Sequence, residues 1–357
     1  MLPKLTRQAV LATVLLFAAV LAAPAAPAPR QRQGFDFDWR FHLGDLTNAA
    51  TPQLADSAWR QLDLPHDFSR EGEFASNNVS STAFLPGGIA WYRKAFLLPA
   101  DWQDKLVSIE FDGVSMNSEV WINGHYLGKR PYAYSSFAYD LTLHLRRGQT
   151  NLLAVRADRS AIDDSRYYTG SGIYRHVWLI ATEKVHVARH GVYITTPQVE
   201  PNRARVAIQT RVQNQAGAPA EVELITDLLN PEGQAVGSLT NQARIAAGGE
   251  TLLTQNLEVA APRLWSPETP ALYTTHTTVR LGNQTTDQLP TTFGIRSIRF
   301  DAQQGFLLNG QPAKFKGVCL HHDAGALGVA VPDKTLERRL CLLKELGCNA
   351  VRCSHNP

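Results

Sequence analysis

Lys314-Phe315-Lys316-Gly317-Val318-Cys319-Leu320-His321-His322-Asp323 and Asn349-Ala350-Val351-Arg352-Cys353-Ser354-His355-Asn356-Pro357 are the two stretches that decide the fold. Residues 314–319 read as a near-continuous apolar strand, the pattern of a strand buried on both faces. Residues 349–352 read as a second strand. Between them Asp333 is placed to cap a helix on which Leu336, Leu340, Leu343 and Leu346 share one face, and Gly347 to end it. Strand, helix and strand at this spacing make a βαβ unit, whose strands run parallel.

Parallel β/α architectures gather their chemistry where the C-terminal ends of the strands meet the loops. His321, His322 and Asp323 follow the first strand; Arg352, Ser354 and His355 follow the second. One loop histidine alone is more often an ordinary surface or core residue. Two neighbouring strands bringing such groups to one rim argue for a site.

Upstream the texture is different. Residues 34–182 carry short alternating strands, among them Val107-Ser108-Ile109-Glu110-Phe111 and Glu119-Val120-Trp121-Ile122, the latter running into the hairpin turn Asn123-Gly124. Many short strands without helical periodicity predict a jelly-roll β-sandwich. Residues 183–299 hold roughly seven further alternating segments, which is immunoglobulin-like arithmetic. They lack a Cys-Trp-Cys core, so a disulfide-free sandwich is expected. Phe306-Leu307-Leu308-Asn309-Gly310-Gln311-Pro312 reads as a hairpin opening the last region, residues 300–357.

The 357 residues are 44% hydrophobic and 19% charged with a net charge of +3. That is globular material with no electrostatic case for nucleic acid, which needs a concentrated basic face. Lys4 and Arg7 precede an apolar run over residues 9–23 and then Ala23-Pro24-Ala25, so residues 1–25 read as a secretory signal. The alternative, an uncleaved anchor, is disfavoured because a run of about 15 residues is short for spanning. The chain is therefore expected to be exported, periplasmic or extracellular, with no membrane contact after cleavage. Cys319, Cys341, Cys348 and Cys353 match no zinc pattern and leave the β-domains without cysteine; small buried thiols in a packed barrel segment are expected.

With these segments in place the chain resembles glycoside hydrolase family 2, and within it the β-galactosidases. Leu64-Pro65-His66-Asp67-Phe68 and Gly170-Ser171-Gly172-Ile173-Tyr174-Arg175 are similar to segments of the family's sugar-binding jelly roll. Leu264-Trp265-Ser266-Pro267-Glu268, Leu272-Tyr273 and Phe293-Gly294-Ile295-Arg296 resemble the end of its immunoglobulin-like domain. The two opening stretches resemble the first strands of its (β/α)8 barrel. Each segment is moderately specific alone; their order over three domains is strong.

The resemblance implies retaining hydrolysis of β-galactosides, which needs two carboxyls about 5–5.5 Å apart flanking the anomeric carbon. It places both glutamates on later barrel strands, beyond Pro357, so this chain is expected to be the N-terminal part of a longer protein and inactive by itself. Glu337 and Glu345, on the helix, offer no replacement pair. By resemblance Asp67 reaches across to the sugar from the jelly roll, and Asp158 meets its hydroxyls and, in some members, a sodium ion. On residue chemistry alone both aspartates read as turn-forming carboxylates at strand ends. By resemblance His321 and His355 bind the sugar and favour the transition state, and Arg352 orients a catalytic carboxylate. The Gly170–Arg175 segment reads as structural, two glycines in a tight turn and an arginine in a packing ion pair. Phe68 stands where tryptophan is usual and Asn356 where an aromatic is frequent, which loosens the substrate assignment.

No cofactor is expected; a sodium or magnesium ion belongs to the intact family and is assignable to no residue here. The expected partner is a β-galactoside or oligosaccharide, and oligomeric state is open, a homo-oligomer included. The competing readings are a β-glucuronidase or β-mannosidase of the same family and a non-catalytic carbohydrate-binding sandwich protein. The last gives no reason for the one-sided apolar helix after residue 305. A Ser-His-Asp esterase lacks its G-x-S-x-G elbow. With long strand edges uncovered, the region from residue 305 on is expected to be loosely held.

Overall fold

The computed structural model describes residues 28–161 and 167–355; the expected signal segment, residues 1–25, lies outside them, as does Asn356. Among the described residues no helix is long and apolar enough to cross a membrane. The first domain is a two-sheet sandwich. One sheet has six strands in the order Arg60–Leu62, Trp39–Leu43, Gly88–Phe96, Asn151–Arg159, Ser118–Ile122 and His125–Arg130. The other has four, Gln31–Gly34, Val177–Thr182, Leu106–Phe111 and Phe137–Asp140. Its first strand therefore starts ahead of residue 34.

Alternation drives this packing. Val107, Ile109 and Phe111 point inward and pack with Trp39, Tyr92, Ile122, Leu153 and Leu179 in one buried cluster. The Asn123-Gly124 turn forms as expected, with φ of 52° and 85°, the positive pair that a two-residue hairpin needs. Asn123 does more than turn the chain: its side chain donates to His144 O and accepts from Leu152 N, locking the next strand.

The second domain has seven strands, as read from the sequence. Val185–Glu200, Arg203–Asn214 and Glu250–Ala260 form one sheet; Ala235–Ile245, Ala220–Leu229, Tyr273–Leu281 and Gln284–Phe293 form the other. Arg30 ties the two domains, reaching the fully buried Asp287 carboxylate through Nε at 2.9 Å and Nη2 at 2.7 Å. A small antiparallel sheet, Ile298–Asp301, Gly305–Leu308 and Gln311–Pro312, contains the expected hairpin.

The strands Gly317–Leu320 and Ala350–Cys353 pair in parallel, with Cys319 opposite Arg352, and the helix Asp333–Glu345 joins them. Three details differ from the expectation. The first strand begins at Gly317 rather than Lys314. Pro332 is the N-cap, and Asp333 is the first helical residue with no capping bond; its charge still suits the positive helix end. The cysteines are not buried: Cys319, Cys341 and Cys353 are exposed and Cys348 half-buried, all free thiols. A two-stranded sheet and one helix enclose too little volume to bury them, and Leu336, Leu340 and Leu346 of the helix are exposed for the same reason.

The unit makes several contacts with the jelly roll. Arg70 Nε donates to Ala326 O at 2.8 Å, and His322 Nε2 lies 3.3 Å from Thr169 O. His176 bridges Asp36 on the sandwich and Asp333 on the helix, at 2.7 Å and 3.2 Å. Burial opposes charging of this imidazole, but hydrogen bonds and attraction from both carboxylates outweigh it and raise its pKa. A raised folded value stabilises below the unfolded value of about 6.5 and is lost as pH rises through the folded value. Helix 333–345 is thus expected to exchange its amide hydrogens faster, relative to the sandwich strands, above that range. In His176→Gln the difference should be absent at every pH; a wild-type pH dependence surviving in that variant would rule out His176 as its source.

Candidate active site

The C-terminal ends of the two parallel strands carry His321 and His355, whose rings meet at 5.3 Å and 62°. Tyr167, arriving from the jelly roll, stacks on His355 at 5.3 Å and 24° and lies 5.0 Å from His321. The three rings form a wall to which both domains contribute. His321 Nδ1 is buried with no hydrogen-bond partner among the described residues. The next residue, His322, turns instead into the jelly roll, edge-on to Tyr134 and Tyr174 at 5.2 Å and 5.7 Å. Burial lowers its pKa and keeps it neutral, so it serves docking.

Asp67 does not present a free carboxylate to this wall. It is 3% exposed, and its Oδ1 accepts from Ser171 N at 3.0 Å. Its Oδ2 accepts from Tyr168 OH at 2.6 Å and Val329 N at 3.0 Å. It clamps the loop after the first barrel strand to the sandwich, and burial with the neighbouring Asp67 charge pushes the Tyr168 phenol up.

The Gly170-Ser171-Gly172 turn is structural, as expected. Gly170 and Gly172 have φ of 64° and 104°, and a Cβ would strike Val329 at the first and Tyr92 at the second. Arg175, expected in an ion pair, makes none among the described residues; its guanidinium lies 5.2 Å from the Tyr174 ring and 3.5 Å from Tyr134 O. The aromatic lining of this interface took the place of a carboxylate.

Asp158 ends the strand Asn151–Arg159 in an Asx turn, Oδ1 accepting from Ser160 N at 3.0 Å and Oγ at 2.6 Å. Arg156 Nη1 donates to its Oδ2 at 3.2 Å. Burial raises its carboxyl pKa, but the Ser160 hydrogen bonds and Arg156 outweigh that, leaving it lowered. Arg352 has no carboxylate partner among the described residues; its Nη1 lies 3.7 Å from Cys319 Sγ. That contact, with Ser354, holds the Cys319 thiol below its usual range.

The structure therefore brings His321 and His355 together, commits the Asp67 oxygens to Ser171, Tyr168 and Val329, and engages Asp158 and Arg352 locally. Tyr167 and Tyr168 were missed in the sequence; an adjacent aromatic pair just before the glycine turn was the only cue. Among the described residues no three His, Cys, Asp or Glu side chains gather as a metal would require. Among the described residues the wall offers ring faces and imidazole nitrogens and no pair of facing carboxylates, which suits binding a polyhydroxylated ring.

Comparison with known proteins agrees with this architecture. The family profile described as "Glycosyl hydrolases family 2, sugar binding domain" matches residues 74–183, "Glycosyl hydrolases family 2" matches 185–296, and the family's TIM barrel domain matches 301–357. A beta-galactosidase of Bacteroides ovatus is 47% identical over 332 residues, 92% of this chain and 39% of its own length. A putative beta-glucuronidase of Formosa agariphila is 38% identical, over 92% of this chain and 31% of its own. A solved family 2 glycosyl hydrolase of Bacteroides cellulosilyticus superposes with a TM-score of 0.87 at 37% identity, covering 91% of this chain and 43% of that one. The chain spans less than half the length of these relatives. Three domain matches in the family's order, on a fold that superposes over nine-tenths of its length, show that the chain belongs to glycosyl hydrolase family 2.

Proposed function

We propose that this chain supplies the sugar-binding wall of an exported, retaining β-galactosidase whose acid/base and nucleophile glutamates come from further barrel strands. The observation that carries it is the Tyr167–His321–His355 cluster at the ends of two parallel strands. A neutral galactoside is favoured over a glucuronide because the beta-galactosidase of Bacteroides ovatus shares 47% identity. Retention is supported by a beta-glucuronidase of Bacteroides uniformis solved covalently bound to cyclophellitol-6-carboxylate aziridine, at 32% identity over 92% of this chain. Covalent capture is what a carboxylate nucleophile does.

The test compares two proteins on 4-nitrophenyl β-galactoside. The purified 357-residue chain is expected to show no turnover above background. A protein extended to the length of the relatives should hydrolyse it and release β-galactose first, as read by NMR. Turnover by the shorter chain would sink the division of labour, and an α-anomer would sink retention. Preference for the glucuronide would move the substrate. Export is checked by N-terminal sequencing of secreted protein, which should begin near Ala26.

A further inference from the structure

The core of the second domain falls into two apolar clusters. Ile208, Leu228, Leu257 and Tyr273 belong to the first, and Val212, Leu224 and Val279 to the second. Inward-facing positions recur at every second residue of a strand, so one layer lies between the clusters. On the strand Arg203–Asn214 it falls at Thr210, on Ala220–Leu229 at Thr226, on Glu250–Ala260 at Gln255, and on Tyr273–Leu281 at Thr275 and Thr277. Each of these side chains is buried and polar.

Strand register places them beside one another. Thr226 stands directly opposite Thr277 on one side and Leu239 on the other. Gln255 reaches across from the facing sheet, its Nε2 donating to Leu239 O at 3.3 Å and to Asn241 Oδ1 at 3.1 Å. Thr210 lies opposite Leu253, one diagonal step from Gln255 on the same face. A polar belt therefore crosses the sandwich from Thr277 to Thr210, and the half-buried Asn241 carries it to the edge strand Ala235–Ile245.

Only part of the belt is satisfied. Thr275 Oγ1 donates to Thr291 O at 3.4 Å. The hydroxyls of Thr210, Thr226 and Thr277 and the Gln255 carbonyl Oε1 are closed to solvent and have no hydrogen-bond partner among the described residues. Native cores hold few such groups, because a buried polar atom left unpaired is costly. That these share one layer, on strands of both sheets, points to one cause. A hydroxyl donates and accepts while a carbonyl only accepts, so the belt calls for a small partner that does both. Water is one. A cation would sit in an apolar core where the belt holds no carboxylate to offset its charge. Threonine is also smaller than Ile208, Leu228 and Tyr273 in the neighbouring layer, which is where room for water would come from.

We propose that this belt is an internal water site, in which ordered water bonded to the Thr210, Thr226 and Thr277 hydroxyls and to Gln255 Oε1 bridges the two sheets. Buried water of this kind makes about three hydrogen bonds and is costly to remove. The site stands apart from the sugar-binding wall and does not depend on the glycosidase reading.

Thr226→Val and Thr277→Val distinguish a hydrated belt from a dry one, because valine keeps the shape and removes the hydroxyl. With water bonded there, each substitution should lower the melting temperature by about 3–6 °C. If the hydroxyls are unpaired, removing one relieves a buried polar group, and the melting temperature should hold or rise; that result overturns the proposal. Oxygen-17 relaxation dispersion of the 357-residue chain gives a readout independent of stability. The number of long-lived internal waters should fall in the double variant Thr226→Val/Thr277→Val, and an unchanged number also overturns it. In a high-resolution crystal structure, water is expected within hydrogen-bond distance of Gln255 Oε1 and of a threonine hydroxyl of the belt. A layer closed without it, or a cation in its place, rules the site out.

Discussion

Asp67→Ala is expected to release the strand–helix–strand unit from the jelly roll, at a cost of about 3–5 kcal/mol. The carboxylate is 3% exposed and satisfies three donors that come from both sides of the interface, Ser171 N, Tyr168 OH and Val329 N. Removing it leaves those donors buried, each costing about 1–3 kcal/mol when unpaired. The upper end of the sum is not expected, because the Tyr168 hydroxyl can rotate to another acceptor. Asp67→Asn should be intermediate, since it keeps one oxygen but turns an amide N–H towards a donor. Hydrogen exchange is the direct measurement. The Val329 amide and helix 333–345 should lose protection while strand Leu106–Phe111 keeps its own. Equal protection in wild type and Asp67→Ala would show that the remaining contacts of Arg70, His176 and His322 hold the unit without the clamp.

The clamp marks where sequence reading stops. Elements set by neighbouring residues were legible: the Asn123-Gly124 turn, the alternation of Val107 to Phe111, the seven strands of the second domain, and the end of the helix at Gly347, whose φ is 85°. These depend on local φ and on side-chain period. The wall was half legible, because strand ends fixed His321 and His355. Tyr167 could not be placed, since its partners lie more than 150 residues away and no spacing encodes that approach. Asp67 has a second role that local sequence did not suggest. By resemblance it binds sugar; in the fold its oxygens go to Ser171, Tyr168 and Val329, and the last of these amides is 262 positions along the chain. His322 and His321 are adjacent and chemically identical, but one turns into the aromatic lining of the jelly roll and the other to the rim. The cysteines were misread because buried thiols need a surrounding barrel, and two strands with one helix do not supply it.

His321→Ala should have the largest kinetic effect in a protein carrying the rest of the barrel, lowering kcat/KM on 4-nitrophenyl β-galactoside about 10²–10³-fold. The ring is held between Tyr167 at 5.0 Å and His355 at 5.3 Å, so its orientation is set before substrate arrives. Its Nδ1 is buried without a partner among the described residues. That nitrogen is closed to solvent, so a sugar hydroxyl would bond the ring through Nε2. If that hydrogen bond strengthens as charge develops on the ring, the loss falls on kcat; if it is equally strong in the ground state, KM rises and kcat holds. The preorganised geometry favours the first outcome. Tyr167→Phe keeps the ring faces and is expected to stay within about threefold of wild type, whereas Tyr167→Ala removes the His355 stack and should lose about tenfold, in keeping with the roughly 0.5–1.5 kcal/mol of one aromatic contact. Unchanged kcat/KM in a folded His321→Ala protein would place the sugar elsewhere and reduce the Tyr167–His321–His355 wall to domain packing.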